Sequence, residues 1–328
     1  MRALVYAGPE HLELRDVPAP QAGADDVAIE VESVGICGSD MHAYLGHDER
    51  RPAPLILGHE VAGLVVVPGL GDHRVAVNPL VTCGRCPQCL SGRDNLCPER
   101  QIISMPPREG GFAEAITIPR RNIVDVPDHI TADQAALTEP IACGWHASKI
   151  AVAHAGASGV SAVVLGGGAI GLGAALSLRA QGVSELIMVE PSELRRAYLR
   201  DRCGEKVVAP DRLISEFFDI VIDGVGLVAT REQASAVVRP GGIIVHIGLG
   251  SAEGGLDVRR MTLQEITFVG TYTYTAKDFR ETAQAMSDGR LGALDWTEAR
   301  GLSDGAAAFE DIRAGRNAAP KIILKPNM

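Results

Sequence analysis

Aromatic side chains are scarce in this chain, at 4% of 328 residues, and no cluster of lysine and arginine forms a stripe. Proteins that grip nucleic acid use basic grooves and, for single strands, stacking platforms. Both absences argue against that class of partner, and the formal charge of −10 points the same way. Uninterrupted apolar runs of about 18 residues are missing too, so no membrane span is expected. The opening stretch MRALVYAGPEHLELRDVP lacks a long apolar core and a small-residue cleavage site. No export signal is read there, and the cytoplasm is the expected location. Seven cysteines, an odd count, do not suit a disulfide framework in such a compartment.

What is present is ordinary globular material: 46% hydrophobic and 22% charged residues, enough for about two domains. The first ~140 residues carry short alternating segments, RALVYAG, VAIEVESVG, EVAGLVVV, HRVAVNP and FAEAITIP. Each is bounded by turn-prone residues, the pattern of a mostly β unit. Near Ala142 the period changes. SAVVLGGGAIGLGAALSLRAQG reads as strand, glycine turn and helix, and SELRRAYLRDRCG as a helix capped by Ser192. ELIMVE, EKVVAP, DIVIDGVG, GGIIVHIGLG and ITFVGTYTYT are apolar runs of the length of buried parallel strands. Six strands with helical crossovers predict a doubly wound α/β sheet. Helices are expected at AKDFRETAQAMSDGRL and GAAAFEDIRAG, and a last strand at KIILKP.

Three constellations carry chemistry. Cys83, Cys86, Cys89 and Cys97 stand as C-x2-C-x2-C-x7-C, with Gly84, Pro87 and Gly92 supplying turns. Four thiolates at this spacing suit a closed, structural tetrahedral zinc. An iron–sulfur cluster is the rival, and a thiol redox switch a third reading. Next, Gly166, Gly168 and Gly171 form G-x-G-x-x-G between a buried strand and a helix, enclosing Ala169 and Ile170. Glu190 ends the following strand about 20 residues later, which is the dinucleotide fingerprint. Its carboxylate would accept the ribose hydroxyls and repel a 2′-phosphate, which favours NAD. Arg195 stands close by as a group that could pair with such a phosphate. Finally, GICGSDMH, LILGHEVAG and LTEPIACGWHA hold Cys37, His59, Glu60 and Glu139. One thiolate, one imidazole and one or two carboxylates suit a zinc with an open position, provided the fold unites them.

GICGSDMH, GHEVAG, the four-cysteine lobe, GGFAE, TEP and GGGAIG follow one another in a familiar order. Over nearly its whole length the chain resembles the zinc-dependent medium-chain dehydrogenases/reductases, the alcohol, polyol and threonine dehydrogenase family. The resemblance implies a GroES-like β-rich catalytic domain at 1–141 with the zinc lobe at 83–97. A Rossmann domain at 142–274 and a return to the catalytic domain at 275–328 would follow. Cys37 and His59 would bind a catalytic zinc directly. Glu60 would be a ligand or trade places with water, and Glu139 would bind directly or through water. Asp40 would hydrogen-bond His59. Ser39 would take the proton of the substrate hydroxyl, and His42 would pass it on. Ile247, Gly248, Leu249, Thr271 and Tyr272 would lie along the nicotinamide.

Two zinc ions per chain, NAD, a small alcohol or ketone and a homodimer or homotetramer complete that picture. The implied reaction is hydride transfer between a secondary alcohol and its ketone. A simple alcohol or threonine-type dehydrogenase, or a non-catalytic NAD- and zinc-binding regulator, are the alternatives. Glu139 stands where simple alcohol enzymes carry a second cysteine, which is similar to the polyol and threonine branches. Thr273-Tyr274 and Ala43 depart from many sorbitol-type enzymes, and the loop after GHEVAG is shortened. Cys143, Cys203 and His146 read as core residues, and His246 carries no partner pattern. Asp223 either turns towards the cofactor or ends a strand.

Overall fold

The computed structural model describes residues 1–65, 73–213 and 217–328. The shortened loop after GHEVAG falls at 66–72, outside them. The chain divides into two compact units. One comprises Met1–Glu139, Thr275–Asp288 and Thr297–Met328, and the other Pro140–Tyr274 and Gly289–Trp296.

The first unit is built on antiparallel strands, as its alternating segments predict. Among the described residues its largest sheet has seven strands. At its centre Asp26–Gly35 pairs with Glu60–Val65 and with Ala115–Pro119. The chain's last strand, Lys321–Lys325, returns to this sheet and pairs antiparallel with Asp26–Gly35, Ile323 facing Gly35. That return places a side chain from the end of the sequence beside one from its beginning. Beneath the sheet an apolar core includes Ile29, Val31, Leu57, Phe112 and Phe309. Tyr44 packs on Phe309 with centroids 5.1 Å apart, and Phe112 meets Phe309 edge-on at 5.9 Å. Such pairs add about 0.5–1.5 kcal/mol each beyond area burial. They fix the inner face of the helix Gly38–Tyr44, whose buried side chains are Asp40, Met41, Ala43 and Tyr44.

The second unit is a six-stranded, all-parallel sheet. From one edge to the other run Val207–Val208, Glu185–Val189, Ser161–Leu165, Phe218–Asp223, Val238–His246 and Thr267–Gly270. The order reverses at Ser161–Leu165, the switch point where a doubly wound sheet opens to a ligand. Ser192 caps the helix Glu193–Asp201 by accepting the Arg195 N–H, as its position predicts. The strand predicted through ITFVGTYTYT is shorter than expected. Its partner stops at His246, opposite Gly270, so no ladder continues. Thr271 instead donates its N–H and hydroxyl to the His246 carbonyl, and Thr273 takes a left-handed φ of 46°. Tyr272 and Tyr274 therefore lie beyond the strand. Tyr274 is fully buried and Tyr272 half-buried. Among the described residues no helix is long and apolar enough to cross a membrane.

Candidate active site

Cys37 is the N-cap of the helix Gly38–Tyr44. Asp40, in the first turn, reaches back: its Oδ2 accepts the Cys37 N–H at 2.9 Å. Its Oδ1 accepts the Gly58 N–H at 3.2 Å and lies 3.6 Å from His59 Nδ1. One buried carboxylate thus ties together the two segments that carry Cys37 and His59. The contact with the ring is longer than the hydrogen bond expected, and Ser104 Oγ sits slightly nearer, 3.4 Å from His59 Nδ1. Burial pushes the Asp40 carboxyl up, but His59, Arg51 and the Cys37 N–H outweigh it and hold it below its ordinary range. Burial also opposes a charged His59 ring, yet Asp40 and Cys37 raise its pKa well above the usual value.

Glu60 begins the strand Glu60–Val65 and pairs directly with Gly35. Ligand atoms of Cys37, His59 and Glu60 lie within 4.8 Å of one another. Glu139 is outside that trio. It sits in the first turn of Thr138–Ala155, only 6% exposed, and its charge acts on Lys321. Ser39 and His42 stand three apart on the helix Gly38–Tyr44, so they share a face. Ser39 is half-buried and His42 exposed.

The four lobe cysteines are gathered, with their ligand atoms also within 4.8 Å. Gly84 and Gly92 have φ of 72° and 75°, and Pro87 opens the one-turn helix Pro87–Leu90. The Arg85 N–H lowers the Cys83 thiol to about 7, while burial pushes Cys89 up to about 12. Asp94 accepts the Ala276 N–H at 3.0 Å, which anchors the lobe to the helix Ala276–Ser287.

In the second unit the glycine turn follows Ser161–Leu165 and opens the helix Ala169–Ala180, with Gly168 as N-cap. A Cβ on Gly168 would meet nothing within 4 Å, whereas one on Gly171 would land 1.9 Å from the Gly166 carbonyl oxygen. The turn leaves open space on one side and closes tightly on the other. Glu190 accepts the Gly167 N–H through Oε2 and the Ser192 N–H through Oε1, both at 2.8 Å. Arg195 is half-buried, and burial pushes its guanidinium pKa down against the pull of Glu190. Ile247, Gly248 and Leu249 follow the carboxyl end of Val238–His246, and Thr271 and Tyr272 that of Thr267–Gly270. Ile247 and Gly248 donate their N–H groups to the Asp223 carbonyl. Asp223 is fully buried, and its side chain accepts from Val225, Gly226 and Thr230. It braces the loops at the sheet's carboxyl edge.

Comparison with known proteins identifies the family. Residues 23–128 match the alcohol dehydrogenase GroES-like domain, and residues 169–288 the zinc-binding dehydrogenase domain. L-galactonate-5-dehydrogenase of Escherichia coli is 33% identical over 316 residues, covering 89% of each chain. The chain belongs to the zinc-dependent medium-chain dehydrogenase family. It is an oxidoreductase of the kind that interconverts a secondary alcohol and its ketone. Sorbitol dehydrogenase of Bacillus subtilis is 31% identical, over 100% of this chain and 98% of that one. Among solved structures, a zinc-binding dehydrogenase of Sinorhizobium meliloti bound to NADP superposes with a TM-score of 0.86. It shares 26% identity and covers 99% of both chains.

For a zinc-dependent dehydrogenase the residues present fit the metal. Glu60 Oε2 is buried with no hydrogen-bond partner, beside a thiol and an imidazole. Three residues around this candidate site carried no sequence signal. Lys321 donates to Glu60 Oε1 at 2.6 Å and to the Ile36 carbonyl at 2.8 Å. Ser104, with φ of 70°, approaches His59. Arg51, 3% exposed, donates to the Ser104 carbonyl, to Asp48 and to the Ser39 carbonyl and hydroxyl. Apart from Asp48, three residues before it, its partners lie in other segments, and no local motif announces them. Arg51 ties the helix that carries Ser39 to the segment that touches His59.

Proposed function

We propose that this dehydrogenase oxidises a secondary alcohol of the polyol, diol or sugar-acid class with NAD, using one catalytic zinc, and carries a second zinc in the lobe. The carrying observation is the meeting of Cys37, His59 and Glu60 within 4.8 Å at the end of the helix that bears Ser39. Cys37 and His59 would hold the catalytic ion, with Glu60 and Glu139 as acids at its edge. Cys83, Cys86, Cys89 and Cys97 would hold the other. When bound, the zinc supplies Lewis-acid polarisation of the substrate hydroxyl and the nicotinamide accepts the hydride. Ser39 would accept the hydroxyl proton while giving up its own, its oxygen steadied by Arg51, and His42 on the same helix face would pass that released proton outward. Gly166, Gly168, Ala169, Ile170 and Gly171 present backbone N–H groups to the pyrophosphate. Each oxygen of Glu190 keeps a lone pair for the adenosine ribose.

A panel of polyols, vicinal diols, sugar acids, threonine and simple alcohols, read by reduction of NAD, tests the substrate class. Turnover is expected to be highest with a polyhydroxy compound, and preference for a simple alcohol or threonine would contradict it. The negative charge of Glu190 should give NAD a kcat/KM at least about tenfold above NADP. Parity or the reverse order would refute the cofactor assignment.

A homodimer or homotetramer in the cytoplasm belongs to the same reading. Among the described residues, the edge strand Thr267–Gly270 is bonded on one side only. Exposed Leu249 at 74%, Val258 at 66% and Leu263 at 71% lie in the same unit, the material of an interface. Light scattering should return at least twice the chain's 34.6 kDa, and a monomer would exclude the pairing.

A further inference from the structure

The last strand of the sheet holds a lysine where a lysine is costly. Lys321 is 5% exposed, and an ammonium buried to that degree must find charge and acceptors. It finds Glu60 Oε1 and the carbonyl of Ile36, the residue just before Cys37. Burial alone would push the ammonium towards neutrality, but the charges of Glu60, Cys37 and Glu139 outweigh it. Glu60 is equally committed. It is fully buried, and its Oε2 fills the notch above Gly35, where any Cβ would come within 1.9 Å of it. The notch and the ammonium together fit one carboxylate position.

Resting on the proposed zinc site, we infer that Lys321 is a positioning residue that holds Glu60 off the metal and so keeps the open coordination place free for substrate. The physical argument is charge. A buried carboxylate needs a cation within reach. Two cations compete for Glu60: Lys321, already bonded, and an ion held by Cys37 and His59, whose donor atoms lie within 4.8 Å of a Glu60 oxygen. While Lys321 is present, Glu60 is compensated where it stands. With the ammonium removed, the ion is the remaining partner, and Glu60 closes onto it.

The test replaces zinc by Co²⁺ in the full-length protein and titrates imidazole while following the visible d–d bands. The four-thiolate lobe has no open place and does not respond. Wild type is expected to bind imidazole saturably. Lys321→Met is expected to raise the imidazole Kd at least about tenfold, or to lose the response. Lys321→Arg, which keeps the charge, is expected to stay near wild type. An unchanged Kd in Lys321→Met overturns the inference. Should that variant fail to fold, Glu60→Gln decides alone. Because Glu60 stands off the ion at rest, this variant is expected to keep its imidazole Kd within about threefold of wild type. A tenfold change or loss of the active-site metal would show Glu60 on the ion with Lys321 in place, and the inference falls. A wild-type cobalt protein blind to imidazole would sink the zinc-site reading first, and the inference with it.

Discussion

Cys37→Ser is expected to lower kcat/KM by about a thousandfold or more, the several kcal/mol that a lost Lewis acid represents. Serine keeps the size of the side chain. It is also a good N-cap, so the helix Gly38–Tyr44 should survive, with Asp40 still accepting the N–H of residue 37. What goes is the thiolate, the soft anionic donor of the trio. His59 remains, with Glu60 and Glu139 only at the edge, and an imidazole beside a neutral hydroxyl holds zinc poorly. The glycine turn and Glu190 belong to the other compact unit, so the NAD Kd should stay within about threefold of wild type. Fluorescence quenching by NADH reads the second quantity and steady-state kinetics the first. Activity within tenfold of wild type would remove Cys37 from the active site.

The second large effect concerns the fingerprint. Gly171→Ala would put a Cβ 1.9 Å from a backbone oxygen of Gly166. A backbone oxygen cannot rotate away as a side chain can, so the helix Ala169–Ala180 must shift. Overpacking of this kind costs about 1–3 kcal/mol. The helix N–H groups move with it, and NAD should weaken roughly tenfold to a hundredfold. Gly168→Ala is the informative contrast, because its Cβ meets only open space. That variant should leave the Tm unchanged and still weaken NAD, because the methyl occupies the approach of the pyrophosphate. If Gly171→Ala keeps both its Tm and its NAD affinity, the close approach does not matter. If Gly168→Ala keeps its NAD affinity, the open side of the turn is not the cofactor's side.

These residues show what a sequence can reveal. Cys83 to Cys97 lie within one loop, so their spacing is their geometry and the cluster is legible directly. The second unit is legible because buried parallel strands read as unbroken apolar runs and glycines mark the turn between them. Ser192 announces its helix for a local reason as well. The site around Cys37 is different. Cys37, His59 and Glu60 could be suspected from residue type, but only strand pairing brings them together, Gly35 standing opposite Glu60. Lys321 is farther out of reach: its partner is 261 residues away, and a lysine at the start of KIILKP looks like any exposed strand end. Arg51 hides in the charged run HDERR, where one arginine points to solvent and its neighbour is buried. The overlong strand through Tyr274 fails for a related reason. Alternation of threonine and tyrosine states a preference, but a strand ends where its partner does.

The zinc content of purified wild type and Cys37→Ser, measured per chain by atomic emission, goes to the central claim. Two ions in the wild type and one in the variant, the survivor held by the four-cysteine lobe, are expected. Equal zinc in the two proteins would mean that the sulfur of residue 37 shares no ion with the imidazole and the acids around it.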